Sequence, residues 1–237
     1  MPALPSGRPT DHVPDQDPSR TSGGNPPVLN APPVVLWLVG LTVAVHLARI
    51  LLPDTAQFEL FQRLGFIAAR YAVEGAYVAD PLAYLAGPIG HAFLHAGWGH
   101  LFLNMGFLLT FGSAVGRRMG PSPFLLLYLA SGLAGAFFWA YLEPLSSVPL
   151  VGASGAISGL VGAVGVLSLW PDADDSPLGN RRTAIAFVSV WLASNLLVGL
   201  LPFTPFLEGG DIAWEAHIAG FVAGALLIRS LDGRGLR

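Results

Sequence analysis

Six stretches of about twenty residues, each nearly free of charge, constrain this chain more than any other feature. They run from about Pro33 to Leu52, Ala92 to Val115, Phe124 to Leu142, Val151 to Trp170, Thr183 to Leu201 and Ile212 to Leu231, with prolines or charged residues marking their ends. A helix of about 20 mainly apolar residues crosses about 30 Å of hydrocarbon. The pattern therefore predicts an all-α membrane protein, a bundle of six transmembrane helices. Composition agrees: 53% of the 237 residues are hydrophobic and 11% are charged, where a soluble domain carries about 25% charged residues. No fixed-period repeat is visible, and the spans differ too much in polar content to be inverted halves of a transporter.

The segment between the first two spans, residues 53–90, is too polar to cross a bilayer and too apolar for a loose linker. Phe58, Leu60, Phe61, Leu64, Phe66, Tyr71, Tyr77 and Tyr84 give it the aromatic, amphipathic character of a membrane interface, so a long interfacial loop is expected between helices 1 and 2. Residues 1–32, rich in Pro, Asp and Ser, read as a disordered tail, and residues 232–237 as a short C-terminal one. Arg117 and Arg118 follow span two, Arg181 and Arg182 precede span five, and Arg229, Arg234 and Arg237 lie at or beyond the end of span six. With six alternating helices these fall on one side, joined by Arg8 and Arg20. The positive-inside rule makes that side cytoplasmic and puts both termini there, as in a multi-pass protein of a bacterial plasma membrane. Arg49, Arg63 and Arg70 fall on the other side.

The absence of certain residues narrows the chemistry. There is no cysteine, hence no disulfide framework, thiolate metal site or cysteine nucleophile. All 12 basic residues are arginine, which removes a serine–lysine dyad. Histidine remains as the base, because its ordinary pKa lies nearest neutrality. The net charge of −3, with no basic cluster, gives no reason to expect a nucleic-acid partner.

Polar groups gather at one depth. Span two opens with HAFLHAGWGHLFLNM, which carries His91, His95, His100 and Asn104; span four opens with GASG, which contains Ser154; span six opens with WEAHIAGFVAG, which contains His217. Ionisable residues are costly in a membrane and point to function. A serine between glycines can equally be a packing contact, and a histidine at a helix end an interfacial donor; the shared depth and complementary chemistry favour a site. Gly155, Gly159 and Gly162 on span four, and Gly220 and Gly224 on span six, allow close helix approach, so Ser154 and His217 can meet as nucleophile and base. No carboxylate lies three or four residues from His217, and Glu215 points about 200° away on a helix, so a dyad is expected rather than a triad. His100 and Asn104, four apart, share a face and can donate to an oxyanion together with the Ser154 amide. His95 is about 140° from His100 on a continuous helix; it and His91 are given structural roles near the long segment. The HAFLH pair lacks the glutamate of HExxH, and no span supplies a carboxylate, so neither a metal nor another cofactor is expected.

Together HAGWGHLFLN (His95, His100, Asn104), GASG (Gly152, Ser154, Gly155) and AHIAGFVAG (His217, Gly220, Gly224) resemble the rhomboid family of intramembrane proteases, over roughly Pro33 to Leu231. The resemblance implies a six-helix bundle that cleaves the transmembrane segments of membrane proteins, single-span ones among them, near the outer face. It implies Ser154 as nucleophile, His217 as base, and His100 and Asn104 at the oxyanion. A non-cleaving rhomboid-like client-binding protein is the alternative. Two features depart from the family: Ser158 stands where some members have an aromatic residue packed on the histidine, and no tryptophan–arginine pair is evident in residues 53–90.

Overall fold

A computed structural model of the chain describes residues 31–169, 178–200 and 213–232. The predicted N-terminal tail up to residue 30, with Arg8 and Arg20, lies outside them, as do Trp170, Leu201, Ile212, Arg234 and Arg237.

The described residues contain helices and no strand. In chain order these are α1 (Pro33–Ile50), α2 (Asp54–Leu64), α3 (Ala69–Ala72), α4 (Ala76–Ala79), α5 (Pro81–Gly90), α6 (Trp98–Phe107), α7 (Ser113–Met119), α8 (Pro121–Leu142), α9 (Ser154–Leu169), α10 (Arg181–Leu200) and α11 (Trp214–Leu231). A π-helical stretch, Leu108–Gly112, joins α6 and α7 into one rod, Trp98–Met119. Pro33–Ile50, Trp98–Met119 and Pro121–Leu142, of 18, 22 and 22 residues, are long and apolar enough to cross a membrane. A helix also occupies most of each other predicted apolar stretch; α9 is a shorter apolar one of 16 residues.

Local chemistry sets the boundaries. The predicted start of the second stretch at Ala92 moves to Trp98, because Leu94 and Gly97 adopt extended backbone after a tight turn at His91–Phe93. Asn180 caps α10, its Oδ1 accepting from the Thr183 N–H at 3.0 Å. Asp80 caps α5 through the Ala83 N–H at 3.0 Å, and Pro81 opens the helix, where it forfeits no helical hydrogen bond.

The segment after α1 is not irregular: it folds into α2 to α5. Arg49, buried at the end of α1, donates to Gln57 Oε1 at 2.7 Å and lies over the Phe61 ring. Phe66 stacks on Tyr71 and meets Phe137 of α8 edge-on at 5.2 Å, while the Tyr71 hydroxyl donates to the Tyr84 carbonyl at 2.7 Å. Backbone pairing completes the attachment. Phe66 and Leu150 exchange N–H···O bonds of 3.0 and 2.8 Å, and the Ala69 N–H donates to the Ser146 carbonyl at 3.1 Å. The segment preceding Ser154 is thus held by residues far upstream.

The core lies around α9, which is buried along almost its whole length. Leu127 and Tyr128 of α8, Ile157, Leu160, Val161 and Val164 of α9 and Ile228 of α11 form its centre. Contact between α9 and α11 is backbone to backbone: a Cβ added at Gly220 or Gly224 would overlap the carbonyl oxygen of Gly155 or Gly159. In a lipid solvent such close approach replaces the hydrophobic drive that water would give helix pairing.

Candidate active site

Gly152 shapes the entry to α9. Its φ of +115° favours glycine, and an added Cβ would lie 2.7 Å from Cε1 and Nε2 of His100. Its N–H donates to the His91 carbonyl at 2.9 Å. The turn therefore sets Gly152 against both His91 and His100, two further sequence-predicted residues, just before the serine.

Ser154 opens α9, and His217 lies in the first turn of α11. Because Gly220 and Gly155 let the two helices touch, Ser154 Oγ and His217 Nε2 lie 2.8 Å apart. Both side chains are half-buried. This is the separation at which a hydroxyl can pass its proton to an imidazole.

The other ring nitrogen of His217 has a partner that sequence reasoning missed. Nδ1 lies 2.8 Å from Oδ1 of Asn195 on α10, and Asn195 Nδ2 donates to the Trp191 carbonyl at 2.9 Å. Trp191 itself stacks on Phe221 with ring centroids 5.0 Å apart. The lack of a carboxylate within helical reach of His217, or inside any other span, excludes an acid but not an amide on another helix. Its one signal is an Asn inside an apolar stretch. Ser158 holds nothing on the histidine: its hydroxyl donates back to the Ser154 carbonyl at 2.7 Å.

Asn104, buried on α6, donates through Nδ2 to the His100 carbonyl at 2.9 Å, which leaves its second amide hydrogen unassigned. The helical-wheel separation of His95 from His100 does not hold, because His95 precedes the helix; their rings meet edge-on with centroids 5.0 Å apart. His91 Nδ1 donates to the Gly87 carbonyl, 3.0 Å away; since a carbonyl only accepts, Nδ1 carries the proton. Burial holds the His91 pKa down at about 4 despite that bond.

Comparison with known proteins places the chain in a family. Over 132 residues the chain is 42% identical to the rhomboid protease GluP of Bacillus subtilis, covering 55% of this chain and 23% of that protein. It is 38% identical to RHOMBOID-like protein 4 of Arabidopsis thaliana over 138 residues, 56% of this chain and 31% of that one. It is also 31% identical to the same plant's Inactive RHOMBOID-like protein 8 over 131 residues, 55% of this chain and 33% of that one. The chain thus spans less than two thirds of the length of each. A model of the Rhomboid domain matches residues 84–231, more than half of the chain and all of the helices that carry His100, Ser154, Asn195 and His217. The chain belongs to the rhomboid family of integral membrane proteins.

Proposed function

We propose that the chain is an intramembrane serine endopeptidase, with Ser154 as nucleophile and His217 as general base. The observation that carries this reading is the 2.8 Å contact between Ser154 Oγ and His217 Nε2, made across two helices in mutual contact. In the first step Oγ bonds to the scissile carbonyl carbon while its proton passes to Nε2. The imidazolium returns that proton to the departing amine as the C–N bond breaks, leaving an acyl ester on Ser154. A water molecule, deprotonated by the same nitrogen, releases the acid and regenerates the serine.

Negative charge gathers on the carbonyl oxygen in between. The Ser154 N–H stands in the first turn of α9, where amides have no helical acceptor, and His100 at Gly152 and the spare hydrogen of Asn104 supply further donors. The chemistry is complete with side chains and water and calls for no cofactor.

The bilayer enters through length. Six spans would be α1, the α6–α7 rod and α8 to α11, with residues 53–90 at the outer interface and both termini cytoplasmic, in the plasma membrane of a bacterial cell. At 1.5 Å per residue α9 is about 24 Å long, shorter than the roughly 30 Å hydrocarbon layer. With its C-terminal end near the cytoplasmic face, Ser154 sits several ångströms below the outer one. Substrates are then transmembrane segments of membrane proteins, single-span ones included, that unwind near that face.

The alternative is a rhomboid-like protein that holds clients without cutting them; one relative bears the name Inactive RHOMBOID-like protein 8. One experiment separates the two. A serine-directed phosphonate should label the purified protein at Ser154, and a model single-span substrate should be cleaved. Ser154→Ala abolishes both, His217→Ala reduces both greatly, and Ser158→Ala keeps the label. An adduct mapped to Ser158, or cleavage by Ser154→Ala, would overturn the assignment.

A further inference from the structure

We propose that Asn195 is the positioning residue of the site, the group that selects the imidazole tautomer able to act as base. The inference rests on the assignment of Ser154 and His217 made above. An imidazole accepts the serine proton at Nε2 only if its own proton resides on Nδ1, and a neutral ring exchanges freely between the two arrangements unless a neighbour chooses. Asn195 lies 2.8 Å from Nδ1.

An amide alone could choose either way, because its oxygen accepts and its nitrogen donates. The Trp191 carbonyl removes the ambiguity. It lies 2.9 Å from the amide nitrogen of Asn195 and can only accept, so the NH2 group must face it. The opposite rotamer would set two oxygens against each other there. The Asn195 oxygen therefore faces His217, Nδ1 must carry hydrogen, and the Nε2 lone pair is left toward Ser154 Oγ, 2.8 Å away.

The register of the two helices supports the arrangement. Trp191 and Asn195 are one turn apart on α10, as are Phe221 and His217 on α11. The stacked pair Trp191–Phe221 and the hydrogen-bonded pair Asn195–His217 are successive rungs between antiparallel helices. The first rung fixes the rotation that the second requires. Ser158 is too short to steady the ring and is bonded to its own helix, so the role that an aromatic residue at its position would have is taken over by an amide from a different helix. A neutral amide suits this depth, because a carboxylate on Nδ1 would place an additional charge in the membrane interior.

The test has two arms. Protein carrying 15N-labelled histidine, compared with its His217→Ala variant to identify the ring, should show His217 with a protonated Nδ1 and a bare Nε2. In Asn195→Leu, which keeps the bulk but offers no acceptor, that preference should disappear. The rate of phosphonate labelling of Ser154 should fall about tenfold or more, with turnover lowered more than substrate affinity. Asn195→Asp, which restores an acceptor at the same place, should label faster than Asn195→Leu. A wild-type His217 protonated at Nε2 would overturn the proposal even if the variants fail to fold, and so would a folded Asn195→Leu that labels at the wild-type rate. Wild-type protein that takes no label at Ser154 would instead sink the protease assignment, while the tautomer measurement still judges the hydrogen bond.

Discussion

At the scale of single residues, the site joins groups whose contributions differ in kind. Removing one preorganised oxyanion donor costs about 10² to 10³ in rate in a well-studied protease. A smaller loss is expected for Asn104→Ala, since His100 and the Ser154 amide remain, and it should appear in turnover more than in substrate binding. The double variant His100→Ala, Asn104→Ala should lose more than either change alone; an unaltered rate would remove both residues from the site. His91 supplies a different test, because its folded pKa of about 4 lies below the ordinary 6.5. The unfolded chain takes up a proton there first, so stability is full above pH 6.5, falls as the pH drops toward 4, and levels off below. One such linkage changes stability by at most about 1.4 kcal/mol per pH unit. His91→Gln, which keeps a donor but does not titrate, should give a shallower fall in melting temperature over that window. An identical pH dependence in both proteins would show that His91 does not contribute to it.

At the scale of elements, the contact between α9 and α11 sets the distance between Ser154 and His217. Gly224 stands two turns beyond His217, where an added Cβ would run into the Gly159 carbonyl. Gly224→Leu must force the helices apart, at a cost on the order of 1 to 3 kcal/mol for overpacking, and phosphonate labelling should drop although no site residue has changed. Labelling and melting both at wild-type levels would mean that the helices are not held together here. This element was legible in the sequence, because GxxxG spacing carries its own steric meaning. The boundary of the second stretch was not, since the apolar pattern runs on through His91 to Gly97 while the backbone makes a tight turn at His91–Phe93 and is extended at Leu94 and Gly97. That break also brings His95 onto His100, a contact no helical wheel contains. Asn195 was illegible for a related reason: the rotation of α10 about its axis depends on tertiary packing, chiefly Trp191 on Phe221, and an isolated span gives no direction to its one amide.

For the molecule as a whole, composition and span length made the helical membrane class legible, and three separated motifs made the family so. What the sequence could not supply is the attachment of α2 to α5, which comes from contacts such as Phe66 on Phe137 and Arg49 with Gln57. Arg118 Nε and Nη2 donate to Asp232 Oδ2 at 2.9 and 2.7 Å, so the ends of α7 and α11 lie at one level, which the orientation proposed from the arginines requires. Reporter fusions after Arg118 and after Arg182 should both report the cytoplasm. An external location for either would undo the common depth of Ser154, His217 and His100 and the assignment built on it.

The backbone bonds that hold the approach to Ser154 also impose an order in time. Leu150, Ser146 and Gly152 find their partners at Phe66, Ala69 and His91, roughly sixty to eighty residues earlier in the chain. Closing loops of that length is slow compared with forming a helix. Apolar helices can thus be complete while the serine still lacks its geometry, which is acquired only when the upstream segment docks. A chain whose upstream segment has not docked is therefore expected to take no phosphonate label at Ser154, the proposed nucleophile, even with its apolar helices formed.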